Sequence, residues 1–171
     1  TSPNLQAKRR EDYEPSAFQI ETIELSFELN KSQTHVKSRI KLVRTDERAS
    51  SVKLDGEELS LVALSVNGQR LTEGEGYHLE SDGLVVNISD NVSTLEIENT
   101  IAPDANTSLE GLYYVGDAYC TQCEAEGFRK ITYFLDRPDI LSTYTVSIIS
   151  ADENLKHLLS NGNLIEDKIL S

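Results

Sequence analysis

The sequence predicts an all-β domain, either an antiparallel β-sandwich or an open, saddle-like sheet with long loops. Two observations predict this fold class. Apolar and polar residues alternate with period two over several short stretches, as they do in strands buried on one face. Turn signals rich in Gly, Asn and Asp recur about every ten residues between these stretches. A single short stretch, residues 152–159, favours a helix.

Length and charge limit what the chain can be. At 171 residues we expect one domain, residues 16–171, preceded by a polar arm, residues 1–15. Basic residues number 16 and acidic residues 29, so the net charge is −13. A chain this acidic is repelled by nucleic acid and by anionic membrane surfaces, and it has no apolar run long enough to span a membrane. Because residues 1–10 contain no apolar stretch typical of a secretory signal, we expect a cytoplasmic protein.

Residues 23–29 predict the first strand, since Ile, Leu and Phe alternate with Glu and Ser. A polar turn at residues 30–33 precedes a second alternating stretch at residues 36–42. If the two stretches pair as a hairpin, glutamates on the outer face of one strand oppose lysines and an arginine on the other. Such cross-strand pairs contribute roughly 0.2–1 kcal/mol each, so they favour the register more than they stabilise the fold.

Turn signals divide the rest of the chain into further strands. The pairs at residues 55–56 and 67–68 and the Ser-Asp-Gly at residues 81–83 bound apolar stretches, and the Asn-Gly pair at residues 161–162 predicts one more hairpin. The predicted strands are residues 51–54, 61–66, 77–80, 84–88, 94–101, 131–134 and 143–149. Residues 164–171 predict a last strand that has no closing turn, which we expect of a fragment cut from a larger protein.

Residues 109–139 differ in composition from the rest of the chain. The alternation stops, and two cysteines, several carboxylates and a glutamine lie within a few residues of one another, separated by Gly111, Gly116 and Gly127. Glycines at these intervals predict tight turns and exposed loop. A polar loop on a scaffold of strands is where binding residues tend to lie, so we expect any binding site in this segment.

Three side chains of this segment could bind a cation. If Gln122, Glu124 and Glu126 lay in extended chain, they would project to one side with neighbours roughly 6.6 Å apart. Carboxylate and amide groups at the mouth of a loop suit a primary ammonium group. From the residues alone, a solvated acidic loop in an acidic protein is the stronger interpretation.

The cysteines form a C-x-x-C pair, Cys120 and Cys123. A redox pair would need a βαβ context, which is not indicated. A zinc site would need two more ligands, and the three histidines lie far apart in sequence. We therefore predict two reduced, metal-free thiols. Because the chain has no H-E-x-x-H, we also predict that it holds no catalytic residue and no metal ligand of its own.

Residues 136–139, Asp-Arg-Pro-Asp, place two carboxylates beside one guanidinium. Pro138 fixes its own φ and favours an extended conformation at Arg137. The four residues could form a salt-bridged corner or a ligand clamp. The corner is the stronger hypothesis, since the residues lead into a predicted strand.

The run from residue 122 to residue 139, QCEAEGFRKITYFLDRPD, resembles the N-terminal domain of the zinc aminopeptidases, the bacterial members in particular. The resemblance covers nearly the whole chain. It implies that Glu124 binds the free α-amino group of the substrate and that Gln122 lines the pocket for the first side chain. Glu126 and Arg129 are expected to be scaffold.

The resemblance also implies a function for the whole protein. The intact enzyme would remove N-terminal residues from peptides with the help of zinc, and this domain would form one wall of the active site. Its partners would be peptide N-termini and its own catalytic domain, which would carry the zinc. The isolated chain should therefore be inactive. The alternative is a free-standing β-sandwich that serves as a protein-interaction module, and the sequence beyond Ser171 would distinguish the two.

Overall fold

The computed structural model describes residues 9–169, so the first eight residues of the predicted arm and the last two of the predicted final strand lie outside it. The described chain is almost entirely β, which confirms the predicted fold class. Two short 3-10 helices, Arg10–Asp12 and Phe128–Lys130, accompany eleven strands. The strands are β1 (Phe18–Leu29), β2 (Thr34–Arg44), β3 (Ser51–Asp55), β4 (Ser60–Val66), β5 (Gln69–Arg70), β6 (Tyr77–Glu80), β7 (Gly83–Asn87), β8 (Val92–Ile101), β9 (Gly111–Val115), β10 (Ala118–Gln122) and β11 (Thr143–Ser150).

The strands form three sheets. The largest has six strands in the order β11-β1-β2-β8-β4-β5, the second has three in the order β3-β7-β6, and β9 and β10 form the third. The predicted β1–β2 hairpin is present, and its register places Glu24 opposite Arg39 and Ser26 opposite Lys37. Every pair of strands is antiparallel except β1 and β11, which run parallel.

The core lies between the inner face of the six-stranded sheet and the three-stranded sheet. Alternate residues of β1, β2 and β8 are buried completely, among them Ile23, Ile40 and Leu95. They form one cluster with residues of β3 and β7 and with the irregular segment that follows the second 3-10 helix. This arrangement explains the alternation of apolar and polar residues in the sequence, because every other side chain of a strand points to the same face.

Residues 131–134 do not form the predicted strand. Their side chains are buried, but their backbone makes one isolated bridge, from Phe134 to Asp55. The buried Asn99 side chain donates a hydrogen bond of 3.0 Å to the carbonyl of Ile131. The apolar pattern therefore predicted the burial of these residues correctly but predicted the wrong backbone conformation. Tertiary contacts form the backbone hydrogen bonds that a neighbouring strand would otherwise provide.

The hairpin predicted at residues 161–162 does not form, and neither does the described part of the strand predicted for residues 164–171. Residues 152–159 contain no helix. Within the described chain nothing pairs with residues 164–169, and Ile165 and Ile169 are 87% and 99% exposed. An alternating pattern forms a strand only where a second strand lies beside it.

Residues 9–169 include no helix long and apolar enough to cross a membrane.

Candidate functional site

The candidate site begins with a hairpin that the sequence did not predict. Strands β9 and β10 pair along their whole length, joined by a turn at Gly116 and Asp117 in which both residues have positive φ. Such a two-residue turn matches the twist of the strands it joins. The rings of Tyr114 and Tyr119 pack edge to face at 4.9 Å, and the Lys31 ammonium lies 4.4 Å from the centre of the Tyr114 ring. The hairpin is thereby held against the β1–β2 turn, and its second strand ends at Gln122.

The chain folds back immediately after Gln122. We call residues 122–127 the acidic turn. The Gln122 side chain donates a hydrogen bond of 3.0 Å to the carbonyl of Glu124, and the Gly127 amide donates one of 3.0 Å to the carbonyl of Cys123. A Cβ at Gly127 would lie 2.7 Å from the Gln122 carbonyl oxygen, so only glycine fits this close approach.

This geometry excludes the extended arrangement that the sequence allowed for the three polar side chains. Glu126 has a φ of 66° and residues 124–127 form a turn, so the chain is not extended. Gln122, Glu124 and Glu126 therefore do not project to one side as a row. They share one turn, but each has a different environment.

The two glutamates of the turn differ in their contacts. Both are exposed. An Oε1 of Glu126 lies 3.7 Å from the guanidinium of Arg129. Within residues 9–169, no hydrogen-bond donor or cation contacts the Glu124 carboxylate. Glu124 is therefore the acid of the turn that is available to a ligand.

Arg129 lies directly behind the turn and is mostly buried, with 16% of its side chain exposed. Its Nε donates to Oδ2 of Asp136 at 3.0 Å, and its Nη2 donates to the Asp136 carbonyl at 3.1 Å. Its backbone amide donates to the same Oδ2 at 3.2 Å. The amide of Asp136 in turn donates to Asp55 at 3.1 Å, which ties this group to the end of β3.

Lys130, the next residue, points to different acids. Its Nζ lies 3.4 Å from Glu110, 3.7 Å from Glu58 and 3.9 Å from Glu57. It also donates a hydrogen bond of 3.2 Å to Ser108. With 9% of its side chain exposed, Lys130 connects the loop after β3 to the loop before β9.

An aromatic cluster supports the turn from the core side. The Phe128 ring packs edge to face on Phe134 at 5.0 Å and on Tyr144 of β11 at 5.9 Å. Cys123 packs against the same core and, like Cys120, is a free thiol. Burial raises the pKa of the Cys123 thiol, as expected of a side chain away from water.

Residues 136–139 form the salt-bridged corner rather than a clamp. Arg137 donates to both oxygens of Asp139, at 2.9 and 2.8 Å, and to the carbonyl of Glu14 at 2.7 Å. The Tyr13 hydroxyl donates to Asp139 at 2.9 Å. The hydrogen bonds from Arg137 hold the pKa of Asp139 below its usual value. The corner thus attaches the end of the arm to the domain.

The described residues, 9–169, contain no group of three or more His, Cys, Asp or Glu side chains that could hold a metal ion. A zinc ion of the kind that the resemblance implies does not fit this part of the chain. Its ligands would have to come from residues outside it.

The fold is that of a metallopeptidase N-terminal domain. It superposes on aminopeptidase A of Legionella pneumophila, solved in complex with aspartic acid, with a TM-score of 0.89 and 36% identity, over 95% of this chain and 19% of that one. It also superposes on an M1 zinc metallopeptidase of Deinococcus radiodurans with a TM-score of 0.66, over 78% of this chain and 33% of that one, where 15% identity supports the fold alone.

The sequence comparison identifies the family. Residues 11–171 match the Peptidase M1 N-terminal domain, and the chain belongs to that family. It is 45% identical to aminopeptidase N of Escherichia coli over 94% of its length and 44% identical to aminopeptidase N of Caulobacter vibrioides over 92%. The chain spans 18% of the length of each of these relatives.

Proposed function

We propose that this chain is the N-terminal domain of a zinc-dependent aminopeptidase and forms one wall of its active site. Membership of the M1 family supports the activity, and the much greater length of the relatives supports a catalytic domain outside the chain. The zinc, when bound there, would supply Lewis-acid chemistry. In this proposal the present chain contributes substrate binding, and its partners are peptide N-termini and the catalytic domain.

The α-amino group of the substrate is bound by Glu124. The observation that carries this assignment is an exposed carboxylate without a protein partner among residues 9–169, in a turn whose two ends are held by other contacts. A substrate ammonium group would complete the missing ion pair. Enclosure of the turn by a second domain would exclude water and strengthen the attraction.

Gln122 lines the pocket for the first side chain of the substrate. It is exposed at the last position of β10, where the acidic turn begins. Its side-chain nitrogen donates a hydrogen bond to the Glu124 carbonyl, which restrains the side chain before a substrate binds. A restrained side chain loses less entropy on binding, which suits a residue that shapes a pocket.

Substitution of Glu124 in the full-length enzyme tests the proposal. Loss of one partner from a buried ion pair costs roughly 2–5 kcal/mol, or about 30-fold to several-thousand-fold in binding. We expect Glu124→Ala to lower kcat/KM on an aminoacyl substrate by a factor in this range, mostly through KM, with zinc content and folding intact. Glu124→Gln, which keeps the shape and removes the charge, should be nearly as harmful.

Glu126→Gln is the matched control, since it removes the charge of a second acid from the same turn. The Glu126 carboxylate is half exposed and lies 3.7 Å from the Arg129 guanidinium, so we expect only a small change in stability. Equal, mild effects at the two positions would show that the turn does not bind the amine.

The alternative, a free-standing interaction module, makes a different prediction about the gene. An H-E-x-x-H followed by a downstream Glu beyond Ser171 supports the enzyme, whereas a stop codon supports the module. The isolated 171-residue chain should show no aminopeptidase turnover with added zinc, and robust hydrolysis would contradict the assignment of catalysis to another domain.

A further inference from the structure

The acidic turn is followed by two largely buried cations, Arg129 and Lys130, whose partners differ. We infer that Arg129 is a positioning residue that sets the location of the Glu124 carboxylate. This inference rests on the proposed function of Glu124. Arg129 would not touch the substrate, and its effect would pass through the backbone of the turn.

Contacts at its two ends hold the turn. At the first end, Gln122 pairs with Gly111 across the β9–β10 hairpin. At the second end, the backbone amide and the side chain of Arg129 both bind Asp136. Between these ends the Glu124 carboxylate has no partner of its own within residues 9–169, so its position depends on both.

The second end is held by side-chain hydrogen bonds. Arg129 meets Asp136 through three hydrogen bonds of 3.0 to 3.2 Å, and 15% of the Asp136 side chain is exposed. Asp136 is itself bonded to Asp55 at the end of β3. The guanidinium binds a side-chain oxygen and a carbonyl oxygen at once, a geometry that a point charge cannot reproduce. A change of Arg129 to Lys therefore keeps the charge and loses the geometry.

The close packing of the turn would transmit such a change. Gly127 is the last residue of the acidic turn, two positions before Arg129, and its missing side chain lets the chain come into contact with the Gln122 carbonyl. A Cβ at Gly127 would lie 2.7 Å from the Gln122 carbonyl oxygen, so the backbone at the end of the turn is tightly packed. A displacement of the Arg129 backbone would move the turn, and a shift of about 1 Å in a binding group can cost up to about 100-fold in rate.

Lys130 provides a matched control. It is adjacent in sequence and at least as buried, but its ammonium faces Glu110, Glu58 and Glu57, none of which lies in the acidic turn. Lys130→Met keeps the aliphatic stem and removes the charge. It should therefore affect stability without affecting the position of Glu124.

The test compares Arg129→Lys, Lys130→Met and Glu124→Gln in the full-length enzyme, with the double variant Arg129→Lys, Glu124→Gln. For Arg129→Lys we expect KM for an aminoacyl substrate to rise by about 10-fold with kcat within about twofold. For Lys130→Met we expect an unchanged KM. The double variant should be no worse than Glu124→Gln alone, because Arg129 acts through the carboxylate that is already removed.

The outcomes separate this inference from the proposed function. A folded Arg129→Lys enzyme with an unchanged KM, or a double variant in which the two losses multiply, would overturn the positioning role while leaving Glu124 as the amine ligand. A fully active Glu124→Gln enzyme would overturn the proposed function and the positioning role together. If Arg129→Lys does not fold, the variant Arg129→Gln, Asp136→Asn leaves no buried charge unpaired, and the same KM rise is expected of it.

Discussion

The outer face of the six-stranded sheet and the segment from residue 109 to residue 139 both carry many charged side chains, but they hold them in different ways. On the sheet, Arg39 lies 4.0 Å from Glu24 and 3.7 Å from Glu96, and all three side chains are about half exposed. In the segment, Arg129 and Asp136 are 16% and 15% exposed and meet at 3.0 Å. The sheet presents half-exposed ion pairs to solvent, whereas the segment contains an ion pair that is mostly buried.

The physical difference decides what each region can do. Exposed ion pairs contribute about 0–1 kcal/mol, and each partner can be exchanged for another because the long side chains move freely. A partly buried arginine that binds both the carboxylate and the backbone carbonyl of one aspartate restrains the backbone on both sides. A residue that binds a ligand needs a defined position, so the irregular segment suits binding while the regular sheet serves as its support.

Removal of one acid from each region tests this difference most strongly. Asp136→Ala leaves Arg129 without its main partner in a site that water reaches poorly, and we expect the free energy of unfolding to fall by about 1–3 kcal/mol. Glu96→Ala on the sheet should cost less than about 1 kcal/mol. Urea unfolding of the 171-residue chain measures both. Equal losses would mean that the two regions hold their charges in the same way.

The pH dependence of the free energy of unfolding should show a smaller effect, from the pair of Arg137 and Asp139 in the salt-bridged corner. The Arg137 hydrogen bonds lower the pKa of Asp139, so the folded chain binds a proton at this site less readily than the unfolded chain does. The stabilisation is complete above the unfolded pKa of about 3.9 and is lost as the pH falls through the lower, folded-state value. We expect wild-type chain to lose up to about 1 kcal/mol more than Asp139→Asn over this acid range. Parallel pH profiles for the two proteins would contradict the pairing.

The smallest expected effect is on the reaction rate of the Cys123 thiol, compared between folded and unfolded protein. Because burial raises the pKa of Cys123, less thiolate is present near neutral pH. In a Cys120→Ser variant, Cys123 should react with a disulfide reagent several-fold more slowly in native protein than in urea. Wild type should titrate as two free thiols without zinc. Stoichiometric zinc, or a missing thiol, would overturn this prediction.

Local patterns predicted the regular hairpins of the two larger sheets. The β1–β2 hairpin and the turns at residues 67–68 and 81–83 follow from alternation and turn chemistry, which act between neighbours in sequence. The β9–β10 hairpin was missed because the glycines that indicated exposed loop instead begin β9 and form its two-residue turn. Its strands are only partly buried, so the alternation that marked the other strands is weak there.

The candidate site was likewise predicted in part from the sequence and in part shown only by the tertiary structure. Sequence alone pointed to residues 109–139 and, through the family resemblance, to Glu124 and Gln122, whose binding roles stay predictions. The extended arrangement that sequence allowed for Gln122, Glu124 and Glu126 does not form, because residues 124–127 fold as a turn. Only the tertiary structure showed the hydrogen bonds between Arg129 and Asp136 and the parallel pairing of β1 with β11. Alternation and turn residues act over a few neighbours, whereas these contacts exist only once distant parts of the chain have packed together.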